Sequence, residues 1–328
     1  MDPVAALIEI ASLLERERAS RYRAKAFRQA AATLTAMPED VRADPSRLRA
    51  AKGIGESTFA VIQQAIAGSV PDYLVSLRGD VEPERVSALR SRLRGDLHAH
   101  TEWSDGTTSI EVMADAARAL GHEYLAITDH SPRLRVARGL SRERLTEQIP
   151  QVRRQSTDGF TMLAGIEVDI LEDGALDQDA ELLEALDIVV ASVHSRLRMD
   201  SRAMTARMIA AASDPHVNVL GHCTGRLVQG ERGTRPPSEF DARAVFDACA
   251  DHGVAVEINS RPERQDPPDE LIAIALDAGC LFSIDSDAHA PGQLSLLDHG
   301  AERAERAGVP LERIVTTWGL ERLRAWAE

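Results

Sequence analysis

From Gly95 onward, short β-type runs alternate with helical patterns, and this alternation constrains the fold more than any other feature of the chain. The runs are 96–99, 124–128, 161–168, 187–193, 217–221, 254–258 and 281–284. Between them lie SIEVMADAARAL, SRERLTEQIPQVRRQ, SRAMTARMIAAAS, DARAVFDACADH and DELIAIALDAG, with apolar residues at helical spacing. Strands that alternate with helices imply a parallel α/β architecture. A β/α barrel fits better than an open sheet, because chemistry-bearing residues follow nearly every run. In a barrel the C-terminal strand ends converge on one face.

Those residues are His98 and His100 with Asp105 after the first run, Asp129 and His130 after the second, and Glu167 in the third. His194 follows the fourth, His222 the fifth, Glu257 and Asn259 close the sixth, and Asp285, Asp287 and His289 follow the seventh. Six of the ten histidines occupy these positions, which isolated surface or core histidines would not do. In extended chain, residues i and i+2 share a face, so His98 with His100, and Asp287 with His289, can each chelate one ion. Imidazole mixed with carboxylate, without thiolate, suits Zn²⁺, Mn²⁺ or Fe²⁺. Nine candidate ligands exceed the needs of one ion and imply two or three, with Glu167 as a bridge. The remaining histidines, His122, His216, His252 and His299, fall in loops or helices and are read as structural. So is Cys223, as a small buried filler.

The first ~80 residues differ in character. Ala5, Ile8, Ala11 and Leu14 recur at helical spacing, as do Tyr22, Ala26, Ala30 and Leu34, and Pro38 and Pro45 interrupt the pattern. Gly53, Ile54 and Gly55 form a tight turn that opens an amphipathic helix over 56–67. Such a turn lets backbone N–H groups approach a phosphate, as a helix-hairpin-helix does on DNA. An ordinary glycine-punctuated turn is the alternative. Residues 1–80 are thus expected to form a helical domain, 81–94 a linker, with one helix in ERVSALRSRL, and 95–328 the barrel.

Charge limits the partners. Residues 1–70 carry ten Lys or Arg against eight Asp or Glu, and the rest carries 28 against 44. An acidic body repels polyanions at long range, so a nucleic-acid function needs a local basic patch or bound cations. The only lysines are Lys25 and Lys52, so no P-loop or Schiff-base lysine follows. Three cysteines without CxxC spacing exclude a disulfide framework. No run of ~18 apolar residues exists to span a membrane, and the N-terminus lacks a basic leader, so a cytoplasmic enzyme is expected.

GDLHAHTEWSDG, ITDHS, AGIEVDIL, VASVHS, GHCTGR, EINS and SDAH together resemble the PHP (polymerase and histidinol phosphatase) family. The resemblance spans Gly95 to the C-terminus and is greatest to the PHP domain of bacterial family X DNA polymerases. It implies a distorted (β/α)7 barrel with a trinuclear site, and a phosphoesterase that works through a metal-activated hydroxide. Carried over by residue, one ion is held by His98, His100, Glu167 and Asp287. A second is held by Asp105, His130 and His289, and a third by Glu167, His194 and His222. Arg226, beside His222, has the fork geometry that suits a phosphate. Asn259 and Arg264 follow the sixth run and can do the same, and Arg133, Arg135 and Arg138 form a weaker candidate for a substrate-side rim.

RYRAKAFRQAAATL and KGIGESTFAVIQQAIAG resemble the small helical DNA-binding domain that begins family X polymerases. The Schiff-base lysine of its lyase versions falls at Val61, so no lyase activity is expected, and no polymerase palm separates the two parts. The first functional reading is a 3′→5′ exonuclease in DNA repair, with DNA held by the N-terminal module. A small-molecule phosphomonoesterase such as histidinol-phosphatase is the second, favoured by the acidic surface. A non-catalytic adaptor is the third. Oligomeric state is not legible.

Overall fold

The computed structural model describes residues 1–17, 21–79, 87–230 and 233–328. The chain divides into two compact units, Met1–Arg85 with Pro291–Gln293, and Val86–Ala290 with Leu294–Glu328. The expected linker falls partly outside the described residues, at 81–86. Its described remainder forms only a 3-10 turn, Arg90–Arg92, rather than the expected helix. A salt bridge from Arg90 to Asp298 (2.9 Å) ties this turn down. No helix among the described residues is long and apolar enough to cross a membrane.

The first unit is all helical: α1 (Pro3–Arg16), α2 (Arg21–Ala36), α3 (Glu39–Arg42), α4 (Pro45–Ala50), α5 (Glu56–Ile66) and α6 (Asp72–Gly79). Asp2 caps α1 by accepting from the Ala5 N–H, and Asp44 caps α4. Pro3 and Pro45 open these helices, where a missing N–H costs nothing. Pro38 and Pro45 therefore punctuate short helices rather than end helical structure. The buried stripes are rotated from the expected ones. Leu7, Ile10, Ala11 and Leu14 pack inward, whereas Ala5 is exposed and Ile8 is 43% exposed. On α2, Ala24, Phe27, Ala31 and Leu34 are buried, whereas Ala26 is exposed and Tyr22 is 86% exposed. The bulky Leu7, Ile10 and Phe27 set the rotation, because they bury more apolar area than alanine.

The second unit is built on seven parallel strands: β1 (Gly95–Asp96), β2 (Tyr124–Ile127), β3 (Thr161–Asp169), β4 (Ile188–Ser192), β5 (Val219–Leu220), β6 (Ala255–Asn259) and β7 (Leu281–Asp285). They pair in sequence order, β1 to β7, and a parallel bridge between Ala99 and Ala288 joins the two outer strands into a nearly closed barrel. Each expected run overlaps one strand, although the first shares only Asp96 with the two-residue β1 and the fifth contracts to two residues. The crossover helices are α7 (Ile110–Ala119), α8 (Arg142–Arg153), α9 (Ala180–Leu183), α10 (Ser201–Ala212), α11 (Ala242–His252) and α12 (Asp269–Ala278). Then come α13 (Leu297–Arg306) and α14 (Leu320–Ala327). The crossovers follow the five expected helical segments; the one-turn α9 carries no periodicity to read.

The barrel is closed at the N-terminal ends of its strands. Tyr124, Ile188, Val219 and Ala255 pack there with Val315, Trp318 and Leu323 from the C-terminal segment. The Tyr124 hydroxyl donates to the Trp318 carbonyl at 3.0 Å. The open end is the other one, where the strands deliver their polar residues.

His122, in the turn after α7, is buried with neither ring nitrogen hydrogen-bonded among the described residues. Burial, assisted by the charge of Arg90, pushes its imidazole down to about 4. The unfolded chain, with a pKa near 6.5, takes up this proton first on acidification. The neutral side chain therefore contributes stability above pH ~6.5 that is lost as pH falls toward ~4, on the order of 3 kcal/mol. A His122→Phe variant is expected to lose less urea stability than the parent across that window. Parallel slopes in the two proteins would refute this assignment.

Candidate metal centre

Glu167 lies near the end of β3, buried, with both carboxylate oxygens facing imidazoles. Oε1 lies 3.2 Å from His194 Nε2 and 2.8 Å from His222 Nε2. Oε2 lies 3.4 Å from His98 Nε2, 3.6 Å from His100 Nε2 and 2.7 Å from His130 Nδ1. A second carboxylate, Asp105, places Oδ1 3.4 Å from His130 Nε2 and 3.3 Å from His289 Nε2. Asp287 Oδ1 lies 3.5 Å from His100 Nε2. All nine residues expected as ligands thus meet at one end of the barrel.

Donor atoms within 4.8 Å of one another form four overlapping groups. These are His100, Asp105, His130 and His289; His98, His100 and Asp287; His98, Glu167 and His222; and His130, Glu167 and His194. The second set implied by the resemblance recurs, joined by His100. The first is present in its imidazoles and Asp287, with Glu167 in an overlapping group. The third is divided: Glu167 meets His194 and His222 in separate groups. His130 turns one nitrogen to each carboxylate and so belongs to two.

The fit to cations rests on atoms that approach without bonding. His98 Nε2, both nitrogens of His100, His194 and His222, His130 Nδ1, Asp105 Oδ1 and both Glu167 oxygens are buried with no hydrogen-bond partner. Buried polar atoms are ordinarily paired, because leaving one unpaired costs about 1–3 kcal/mol. Nitrogen and oxygen lone pairs that converge in this way suit shared cations. Borderline N/O donors without sulfur fit divalent ions.

Further side chains orient these donors. His98 Nδ1 lies 2.6 Å from Glu257 Oε1, which leaves Nε2 to face Glu167. The same carboxylate accepts the His222 backbone N–H at 2.5 Å. Asp169 accepts the His194 N–H at 3.0 Å and stands 3.4 Å from its Nδ1. Asp129 does not join the centre: it accepts from Thr101 (2.6 Å), Ser104 and Gln148. It thereby pins the turn that presents Asp105. Gly106 is required in that turn, because a Cβ there would stand 2.7 Å from Thr101 backbone.

The i, i+2 argument fails at Asp287. Its φ is 50°, left-handed rather than extended, a conformation that aspartate tolerates better than most side chains. His289 is near Asp287 through this kink: its Nδ1 is 2.9 Å from the Asp287 carbonyl. Arg261, missed in the sequence, places Nη1 3.1 Å from the same nitrogen. Glu257 stands among the chemistry-bearing residues of the sequence but without this orienting role, and Asp169, missed there, shares its signal, a carboxylate in a buried strand.

Arg264 Nε donates to Asp287 Oδ2 at 2.9 Å. The Asn259 amide donates to Glu257 (3.1 Å) and Asp287 (3.2 Å) and accepts from the Arg261 N–H. Arg226 Nε donates to the carbonyls of Arg264 and Gln265 at 3.1 and 3.0 Å. In the helical unit Gly53 has φ +95° and Ile54 is buried. A Cβ at Gly55 would meet nothing within 4 Å, so the backbone there faces open space. Val61 helps line a cavity of about 590 Å³ with Arg23, Phe27, Ser57 and Tyr73, and no lysine lines it.

Electrostatics follow from packing. Burial alone would raise the Glu167 carboxyl, but His194, His130 and His98 hold it well below the usual range. Burial would lower His98 and His130, but the carboxylates outweigh it, raising His98 well above its usual value and His130 to about 10. His194 is raised likewise, against burial, by Glu167 and Asp169. His100 and His222 are lowered, by burial first, then by His289 and His130 for the former and Arg264 for the latter. Against burial, Arg264 and Arg261 keep Asp287 ionised.

A parallel barrel with such a centre at its C-terminal strand ends defines a metal-dependent hydrolase. Residues 96–261 match the PHP domain and residues 1–69 a helix-hairpin-helix domain. The chain belongs to the PHP-domain family and is a PHP-domain phosphoesterase. It is 35% identical over 237 residues to the "DNA polymerase/3'-5' exonuclease PolX" of Bacillus subtilis (strain 168), covering 72% of this chain but 41% of that protein. It thus spans about two fifths of that relative's length. To the "Probable phosphatase YcdX" of Escherichia coli (strain K12) it is 29% identical over 232 residues, 67% of this chain and 88% of that one. A crystal structure of histidinol phosphate phosphatase from Lactococcus lactis, complexed with zinc, L-histidinol and phosphate, has 18% identity and a TM-score of 0.46. That likeness covers 66% of this chain and 94% of the other.

Protons compete with cations for His98, His130 and His194. Cation uptake is expected to release protons, and apparent affinity to rise with pH from about 6 upward. Calorimetric titration in two buffers of different ionisation enthalpy reads both. Chelation is expected to lower the melting temperature by on the order of 5–10 °C, with recovery on adding Mn²⁺ or Zn²⁺. An unchanged melting temperature would count against a structural cation cluster.

Proposed function

We propose that this protein is a metal-dependent phosphodiesterase acting on DNA, a 3′→5′ exonuclease serving repair. The observation that carries the reading is the union, in one chain, of a helix-hairpin-helix match over 1–69 and a PHP match over 96–261. The similarity to PolX adds to it. Residues 1–80 are the proposed DNA-holding module, using Gly53, Ile54 and Gly55, and 95–328 the hydrolytic barrel joined by 81–94.

His98, His100, Asp105, His130, Glu167, His194, His222, Asp287 and His289 are the proposed ligands of two or three divalent ions. Such ions, when bound, lower the pKa of water and neutralise phosphoryl charge. The chain's own residues set the stage. Glu257 holds His98 with Nε2 toward Glu167, and Asp169 anchors the His194 backbone N–H. Arg264 and Asn259 fix Asp287, and they lie beside the place the phosphate would take. Arg226 steadies the neighbouring loop and offers the phosphate its Nη1, which has no partner among the described residues.

A monoester phosphatase is the second reading, favoured by the 88% coverage of YcdX. The two separate on substrates. With Mn²⁺, the full-length protein is expected to release mononucleotides from the 3′ end of a 5′-labelled single strand. It should prefer that strand to histidinol phosphate in kcat/KM. The His98→Ala/His100→Ala protein is expected to lose at least about 100-fold. A preference for histidinol phosphate would replace the first reading with the second.

A further inference from the structure

The loop from Ser131 to Leu140 leaves the metal centre and returns to it. It begins one residue after His130, and the Leu140 N–H donates back to the His130 carbonyl at 2.7 Å. Gly139 pinches it shut: a Cβ there would stand 1.8 Å from the Ser131 carbonyl oxygen. Asp177 holds one limb, through the Ser131 hydroxyl at 2.9 Å and the Arg133 N–H. Arg144 holds the other, donating to the Arg138 carbonyl at 2.6 Å. Ala137 and Leu140 are buried beneath it. The backbone is thus anchored along its length, with a 3-10 turn at Arg135–Ala137 and Arg138 left-handed at φ 59°.

Its outward side chains are the opposite of anchored. Arg133, Arg135 and Arg138 are exposed, and Val136 between them is 93% exposed. None of the three guanidinium groups meets a carboxylate among the described residues, in a part of the chain where acids outnumber bases. Neighbouring arginines do: Arg142 binds Asp179 and Glu181, Arg196 binds Glu172, and Arg264 binds Asp287. Three unpaired cations within six residues, on an anchored excursion, make a local positive patch that favours an anionic partner.

We infer that this loop is a polyanion rim that binds the phosphates of a nucleic-acid strand next to the one being cut. The inference rests on the diesterase reading and deepens it. Ten residues folded back on themselves reach at most ~17 Å from His130. Successive phosphates of a strand fall in that range, whereas a small monoester brings one phosphate, which the metal centre itself takes. Backbone contacts of this kind position a strand without reading its sequence. Val136 offers an apolar face to a base or sugar between them.

The test compares the parent, the R133A/R135A/R138A protein and the R133K/R135K/R138K protein. The readout is a ratio: kcat/KM for a twelve-nucleotide single strand over kcat/KM for bis-p-nitrophenyl phosphate. The ratio cancels any difference in folded fraction. It is expected to fall at least tenfold in the alanine protein and to recover to within about threefold in the lysine protein. Binding of a phosphorothioate strand should also lose about two from its log–log salt slope in the alanine protein. A ratio within twofold of the parent, with the parent cutting the strand, overturns this inference and leaves the diesterase reading standing. A parent that hydrolyses monoesters but leaves the strand intact overturns both.

Discussion

The centre depends on a carboxylate whose two oxygens are faced by five imidazoles in a buried space. Glu167 makes no hydrogen bond through either oxygen, although His130 and His222 stand at 2.7 and 2.8 Å. Protons or cations must supply the missing positive charge, since neither imidazole nor carboxylate alone can satisfy the other at these angles. The surrounding polar residues make sense in that light. Glu257, Asp169, Asn259 and Arg264 each fix one donor's direction, so that the lone pairs converge rather than scatter.

The barrel makes this convergence possible. Seven parallel strands in sequence order send their C-terminal ends to one rim, and the C-terminal segment fills the other end with Val315, Trp318 and Leu323. One end is therefore packed for stability and the other free for chemistry. Turn conformations that few side chains tolerate gather at the open end: Asp287, Arg138, Arg196 and Gln265 all have positive φ. Non-glycine residues in that region carry a cost, which persists where the surrounding contacts determine the conformation. The acid at Asp287 is met locally, by Arg261 and Arg264.

Much of this was legible beforehand. The expected runs overlap the strands, because β-branched and aliphatic residues buried on both faces read as near-continuous apolar stretches; the short β1, Gly95–Asp96, is met only at Asp96. The crossover helices announced themselves by period, but α9 is one turn long and has none to show. On α1 and α2 alanine lies on several faces at once and does not mark the buried one; the stripe follows Leu7, Ile10 and Phe27, and Ile8 and Tyr22 lie off it. At Asp287 the two-residue alternation of an extended chain breaks, because the backbone kinks to a positive φ. Glu257 stood in view within its strand, yet its role depends on a residue 159 positions away.

What the sequence alone determined is the local grammar: which segments are strands, which are helices, and that polar donors follow the strands. Those properties depend on neighbours a few residues apart. The tertiary structure decided which donors come within reach of one another, which carboxylate orients which imidazole, and that Asp129 supports a turn instead of joining the centre. Such choices are made between segments far apart in the chain, by distances of a few tenths of an ångström and by the low dielectric of a closed barrel, neither of which a linear pattern encodes.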